Sequence, residues 1–261
     1  MPGEMLTSPK NPHIQLARSL LEQSKARRKH NSFAAEGARV LEDGLASAAP
    51  LQFILYKSSL TPRAKSVLGQ TKPEQLAFEV EDHLFESLSD TEASQGILGV
   101  FSVPEIHQPA KPGFVLILDQ LRDPGNLGTI LRSAEAAGVQ AVCLPPGTTD
   151  VWAPKVVRSG MGAHFRLPLL QWPWEAISAY VEELAVFHAD MQGQESLWQA
   201  DFRGRTALLI GGEAEGISPE GQQLATHSVR IPMTGKTESL NAAVSASVLM
   251  FEVLRQRSQK V

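Results

Sequence analysis

The 261 residues predict an α/β protein built on a mostly parallel sheet and preceded by a smaller α/β unit. Three observations predict it. After Gly113, short apolar runs alternate with helical stretches, the pattern of a sheet with helices on both faces. Three of these runs end in glycine-containing or small polar segments, where an open α/β sheet binds its ligand. Pro104–Gly113 holds three prolines and a glycine in ten residues and reads as a linker. The expected organisation is a first domain over 1–104, a linker over 105–113 and a second domain over 114–261.

In the first domain, Ile14, Ala17, Leu20 and Leu21 have helical spacing, and the predicted helix over 14–29 ends in the basic run Lys25–Lys29. A second helix is expected over Glu36–Ala48. Extended runs follow at Leu51–Tyr56, Ala77–Val80 and Ile97–Val103, with helical stretches between them. In the second domain, strands are expected at Phe114–Leu118, Val139–Leu144, Ala185–Ala189, Ala207–Ile210 and Val229–Ile231. Helices are expected at Leu127–Ala137, Trp174–Leu184 and Pro219–Thr226. A long terminal helix from about Leu240 to Arg257 is expected to bury Leu240, Val244, Val248, Phe251 and Leu254, which step by four or three.

Composition narrows the function. The longest apolar run, Phe114–Leu118, is far short of the roughly 20 residues that cross a bilayer. The first residues lack a signal-peptide pattern, and the one cysteine, Cys143, allows no internal disulfide; both predict a reduced cytoplasmic setting. Cys143 lies in an apolar run and reads as a buried small hydrophobe. No Cys/His cluster has zinc spacing, so no metal is expected. The net charge of −4 disfavours a general polyanion binder. However, Lys10–Arg39 carries seven basic and two acidic residues. Arg27, Arg28 and Lys29 form either an RNA contact or a solvated helix face.

Three segments carry the chemistry. In the first, Asp123-Pro-Gly-Asn126 is a turn opening a helix whose Leu127, Ile130 and Leu131 face inward, which leaves Arg132 free to point elsewhere. In the second, Gly211-Gly-Glu-Ala-Glu-Gly216 follows a buried strand. Glycines without Cβ let a backbone approach a ligand, but Glu213 stands where a dinucleotide fingerprint needs its second glycine, so a nicotinamide-dependent oxidoreductase is disfavoured. In the third, Ile231-Pro-Met233 ends a strand, and Ser239 can cap a helix opened by Asn241. The start of that helix could offer N–H groups to a carboxylate or phosphate.

In order and spacing these segments resemble the motifs of the SpoU (TrmH) family of RNA ribose methyltransferases. Asn126-Leu-Gly-Thr-Ile-Leu-Arg132 is similar to N-L-G-x-I-x-R. Gly211–Gly216 is similar to G-x-E-x-x-G, and Ile231–Asn241 to I-P-M-x-G-x-x-x-S-L-N. Phe33-Ala-Ala-Glu-Gly37, after the basic run, resembles the substrate-binding domain often fused to the family. The chain departs at Gly212, where many members carry Asn, and at Ala242-Ala243. The resemblance implies a deep trefoil knot in the second domain, S-adenosylmethionine as cofactor and a homodimer. It implies a cofactor pocket from Gly211, Gly212, Gly216, Ile231, Met233 and Leu240. It also implies catalytic roles for Arg132, Asn126, Glu213, Ser239 and Asn241, with Glu213 positioning Arg132 or a substrate group. The implied reaction is methyl transfer to a ribose 2′-hydroxyl of structured RNA, 23S ribosomal RNA first. Transfer RNA, a self-protective modification of ribosomal RNA, and a non-enzymatic RNA-binding or ribosome-assembly protein on the same fold are the alternatives. The last would be expected to lack Arg132, Glu213 or Asn241.

Overall fold

The computed structural model describes residues 5–72, 74–89, 94–213 and 215–258. They form two compact units. One comprises Met1–Glu105 with Trp152–Phe165, the other Ile106–Val151 with Arg166–Val261.

The first unit contains α1 (Pro12–Glu22), α2 (Ser24–His30), β1 (Ser32–Glu36), α3 (Ala38–Ala46), β2 (Leu51–Lys57), α4 (Pro62–Leu68), β3 (Leu76–Val80), α5 (Asp82–Glu86) and β4 (Ile97–Ser102). Its sheet has the order β1-β4-β2-β3; β4 is antiparallel to β1 and β2, and β3 is parallel to β2. Ile14, Ala17 and Leu20 of α1 pack on Ala34, Phe53, Leu55, Leu98 and Val100, so the inward stripe of α1 closes one face of the sheet.

Two local expectations fail here. The helix expected over 14–29 breaks at Gln23, whose backbone is extended (φ −123°, ψ 115°). Arg27 of α2 then folds back and donates to the carbonyls of Leu20 and Leu21 (2.6 and 3.3 Å), occupying acceptors that the end of α1 leaves open. Glu36 ends a strand rather than starting a helix: β1 pairs residue by residue with β4, and α3 begins only after Gly37, whose φ of +109° suits glycine.

The second unit continues with β5 (Phe114–Leu118), α6 (Pro124–Ala136) and β6 (Ala141–Cys143). The short α7 (Pro154–Ser159) belongs to the first unit. Then come β7 (Leu169–Leu170), α8 (Trp174–Tyr180), β8 (Ala185–Ala189), β9 (Glu195–Ser196), β10 (Thr206–Ile210), α9 (Pro219–Leu224), β11 (His227–Arg230) and α10 (Ala242–Ser258). All seven strands are parallel, in the order β7-β6-β5-β10-β8-β11-β9. Every residue of β5 and β10 is buried, as central parallel strands require. One face of the sheet buries Val115, Ile117, Cys143, Val186 and Leu209 with Ile177 of α8. Elsewhere in the unit α10 packs on α6 and on β10.

The terminal helix turns a different face inward from the one its large side chains suggest. Ala242, Ala243, Ala246, Leu249, Met250 and Val253 are buried, whereas Val244 and Phe251 are 48% and 46% exposed. Small residues win the inward side because α10 lies close to α6, near enough for Ser247 to donate to Ser133 at 2.8 Å.

Candidate active site

The strands deliver the three segments to one end of the sheet. β5 leads into a loop whose Asp123 caps α6: its carboxylate accepts from the N–H of Asn126 (2.7 Å), and Pro124 occupies the first turn. This fixes Asn126 at the start of the helix, where Leu127, Ile130 and Leu131 anchor it in the core. β10 leads into Gly211–Gly216, a loop closed on itself by reciprocal hydrogen bonds between Gly212 and Gly216 (2.9 and 3.0 Å).

Glu213, at the tip of that loop, gathers the other two segments. Its Oε1 accepts from Asn126 Nδ2 (2.7 Å), Asn241 Nδ2 (3.0 Å) and the Ala242 N–H (3.4 Å). Asn241 also donates to Asn126 Oδ1 at 3.0 Å. Asn126, Glu213 and Asn241 thus form a hydrogen-bonded triangle with one corner from each segment. Arg132 is not among the partners of Glu213.

Asn241 caps α10. Its Oδ1 accepts from the N–H groups of Ala243 and Val244 (2.9 and 3.3 Å), and its carbonyl accepts from Ser245 (2.9 Å). This corrects the capping role expected of Ser239, which is exposed and lies two residues too early. With Ala242 bound to Glu213, the first N–H groups of α10 are occupied and are not free for a ligand.

The glycines are explained by the backbone itself. A Cβ at Gly211 would lie 2.4 Å from the Gly216 carbonyl carbon, and one at Gly212 would lie 2.3 Å from the Gln120 carbonyl oxygen. Both glycines are therefore needed for the loop to close and for the β5 loop to dock on it, before any ligand is considered. The departure to glycine at 212 follows, because an asparagine there would push Gln120 away. Gly216 has φ +68°.

A cavity of about 970 Å³ opens beside the triangle. Gly211, Gly212, Glu213, Gly216, Leu240 and Asn241 line it, together with His188–Met191 at the end of β8 and the start of the loop after it. Ile231 and Met233 line a smaller adjoining hollow that shares Ser239 and Leu240. All six residues expected to hold a cofactor therefore border this region. The volume lies at the upper end of the about 300–1,000 Å³ usual for small-molecule sites, and the mixed backbone and apolar lining suits an adenosyl group. The β8 loop was missed in the sequence; the same strand-end rule, applied to the polar run Asp190–Gly193, would have found it.

Arg132 is exposed on α6, six residues past Asn126, and makes no hydrogen bond or ion pair with the described residues. Two acidic residues near it in sequence are engaged elsewhere: Glu135 pairs with Arg166 at 2.9 Å and Asp123 caps the helix. Cys143 is no nucleophile, because burial pushes its thiol up to about 12. Among the described residues no group of three or more His, Cys, Asp and Glu could hold a metal, and no helix is long and apolar enough to cross a membrane.

In the first unit, Arg28 and Lys29 are exposed. Arg27 is not: it is 7% exposed and donates to the carbonyls at the end of α1, which corrects the expectation that it contacts phosphate.

Residues 113–251 match the family model of the SpoU rRNA methylase family. The chain belongs to this family. Residues 11–99 match the MRM3-like substrate-binding domain. A 23S rRNA guanosine 2′-O-methyltransferase of Bacillus subtilis is 31% identical, covering 89% of this chain and 92% of that protein. A 23S rRNA uridine 2′-O-methyltransferase of Streptomyces viridochromogenes is also 31% identical, over 98% and 94%. The crystal structure of the SpoU methyltransferase AviRb from the same organism, in complex with AdoMet, superposes with a TM-score of 0.87. It is 28% identical over 97% of this chain and 100% of that one. An AdoMet-bound rRNA methyltransferase from Sinorhizobium meliloti gives a TM-score of 0.81 at 29% identity, covering 97% of each chain. As a SpoU protein, the chain is an S-adenosylmethionine-dependent RNA methyltransferase.

Proposed function

We propose that this protein methylates a ribose 2′-hydroxyl of ribosomal RNA, 23S ribosomal RNA first, from S-adenosylmethionine bound in the large cavity. The observation that carries the reading is the Asn126–Glu213–Asn241 triangle, which joins all three motif segments beside a cofactor-sized cavity. The relatives that act on 23S rRNA support the choice of substrate. The substrate-binding domain match supports RNA contact by the first unit through Arg28 and Lys29.

Bound S-adenosylmethionine supplies an activated methyl group. What remains for the chain is to hold the ribose hydroxyl in line and to manage its proton and charge. Glu213 fixes the relative position of Asn126 and Asn241, and so the wall between donor and acceptor. Arg132 sits about 9 Å along α6 from Asn126 at 1.5 Å per residue. A guanidinium stays protonated, so Arg132 is no simple base. Instead it grips a phosphate beside the target ribose and stabilises charge developing on the oxygen, and that phosphate takes the hydroxyl proton. Ser239, exposed at the cavity rim, orients the bound cofactor or ribose.

The same reading includes the trefoil knot, a cytoplasmic setting and a two-fold dimer. The exposed Val244 and Phe251, with Val248 between them, supply an apolar stripe on α10 for the dimer interface. In that dimer Arg132 acts near the partner's cofactor.

The test is mass-spectrometric mapping of ribose methylation in total RNA from cells with and without the protein. One 2′-O-methyl group should vanish from 23S rRNA. A complete set of ribosomal methyl groups would refute the reading, and a loss confined to transfer RNA would move the substrate there.

A further inference from the structure

Asp119 directly follows β5 and is fully buried, a rare setting for a carboxylate. Its Oδ2 accepts from the N–H of Ser218 at 2.6 Å. Its Oδ1 has no hydrogen-bond partner among the described residues. A buried acceptor without a donor is costly, and the few that a native protein keeps call for a reason. Asp119 is not part of the Asn126–Glu213–Asn241 triangle, so the reason lies elsewhere.

It lies in the position of Ser218. Ser218 follows Ile217, which lines the large cavity, and precedes α9, whose Gln222 lines it too. The helix is seated on the carboxylate: a Cβ on Gly221 of α9 would lie 2.8 Å from Oδ2. The N–H of Asp119 meanwhile donates to the carbonyl of Ile210, the last residue of β10, at 2.9 Å. Gln120, held at φ +55°, lays its own carbonyl against Gly212. Two consecutive residues thus grip the loop over 211–217 where it leaves β10 and where it runs into α9. Glu213 reaches from the middle of the same loop to the two asparagines.

We propose that Asp119 is a positioning residue for the methyl donor. By holding the Ser218 N–H it fixes the exit of the 211–217 loop, and with it the Gly216 backbone and the Ile217 wall presented to S-adenosylmethionine. This rests on the methyltransferase reading above. Asp119 does not line the large cavity and acts through the loop. An apolar residue at 119 would be buried as readily but would leave the Ser218 N–H without an acceptor. A loop that spends part of its time out of place weakens cofactor binding by that fraction.

The test is calorimetric titration with S-adenosylmethionine, set beside melting temperatures and methylation kinetics. Asp119→Ala should raise Kd and the cofactor KM about tenfold, as when the competent loop falls to about a tenth of the population. At saturating cofactor kcat should stay within about twofold, because saturation restores the competent form. Asp119→Asn keeps an oxygen facing Ser218 and should bind at near-native affinity. Gly221→Ala suits the interior of α9. Combined with Asp119→Ala it fills part of the vacated space, so the double variant should regain stability while its Kd stays raised. Ile177→Val, in the core under α8, should lower the melting point with Kd unaltered. Native affinity in Asp119→Ala or in the double variant would make Asp119 a space-filler and overturn the proposal. So would an equal loss of affinity in Ile177→Val. A native protein that binds no S-adenosylmethionine would instead sink the methyltransferase reading. Amide hydrogen exchange in the ligand-free protein then decides Asp119. Exchange across 211–218 should be faster in Asp119→Ala than in the native chain, and equal rates would overturn the proposal.

Discussion

Removing the side chain of Glu213 should cost both stability and activity, in amounts that can be worked from its contacts. Its Oε1 accepts two short side-chain hydrogen bonds, 2.7 Å from Asn126 and 3.0 Å from Asn241, and a longer one from the Ala242 N–H. A hydrogen bond to a charged group contributes about 1.5–3 kcal/mol. The triangle is partly exposed, so water replaces some of what Glu213→Ala removes, and the low end of that range applies to each of the two short bonds. Their sum is about 3 kcal/mol. At about 2–4 °C per kcal/mol for a chain of this size class, the melting temperature should fall by about 6–12 °C. Glu213→Gln keeps an acceptor in place but loses the charge, and should fall by less than half as much. Scanning calorimetry on the native chain and both variants checks the ordering. A double-mutant cycle with Asn126→Ala isolates the pair and should return a coupling of about 0.5–3 kcal/mol. Zero coupling, or a melting point for Glu213→Ala equal to native, would refute the idea that this carboxylate holds the site together.

Arg132→Ala should separate the two effects, leaving the melting point and cofactor affinity near native while the methylation rate falls at least about a hundredfold, as loss of a charge-stabilising group does. Arg132→Lys should recover only part of that rate, because a point charge lacks the planar two-pronged grip on phosphate. Replacing Arg28 and Lys29 with Ala should weaken RNA binding and reduce its salt slope by about 1.4–1.8 for two phosphates, with calorimetric S-adenosylmethionine binding unaltered. Phe251→Asp, at an exposed position of α10, should give monomers by light scattering without loss of fold; persistence of the dimer would move the interface elsewhere.

Much of the parallel sheet was legible because its central strands are buried on both faces and therefore read as unbroken apolar runs. Phe114–Leu118 was bounded to the residue and the strand at Ala207–Ile210 to within one. The failures have one cause, tertiary contacts that outweigh local pattern. Nothing local marks Gln23 as a break, since the gain is Arg27 reaching back to the end of α1. β1 was hidden because Ala34 and Ala35 look helical, and their strand character comes from pairing with Val100 and Gly99. In α10, counting large apolar side chains selected the outward stripe. Close packing on α6 needs alanines, and alanines carry little weight in a hydrophobic count.

The site was legible at the level of segments but not of partners, and the difference is instructive. Asn126, Glu213 and Asn241 were each identified, yet the resemblance implied that Glu213 would position Arg132 or a substrate group, and the sequence suggested that Ser239 would cap the last helix. The structure gives Glu213 to the two asparagines and the cap to Asn241. One asparagine therefore does two things at once: its Oδ1 closes the start of α10 while its Nδ2 reaches Glu213 and Asn126. Any movement of the β10 loop is then felt at the first turn of α10 and at the start of α6, the helix that carries Arg132 two turns further on. The wall of the large cavity, the start of α6 and the first turn of α10 therefore meet at one carboxylate, that of Glu213.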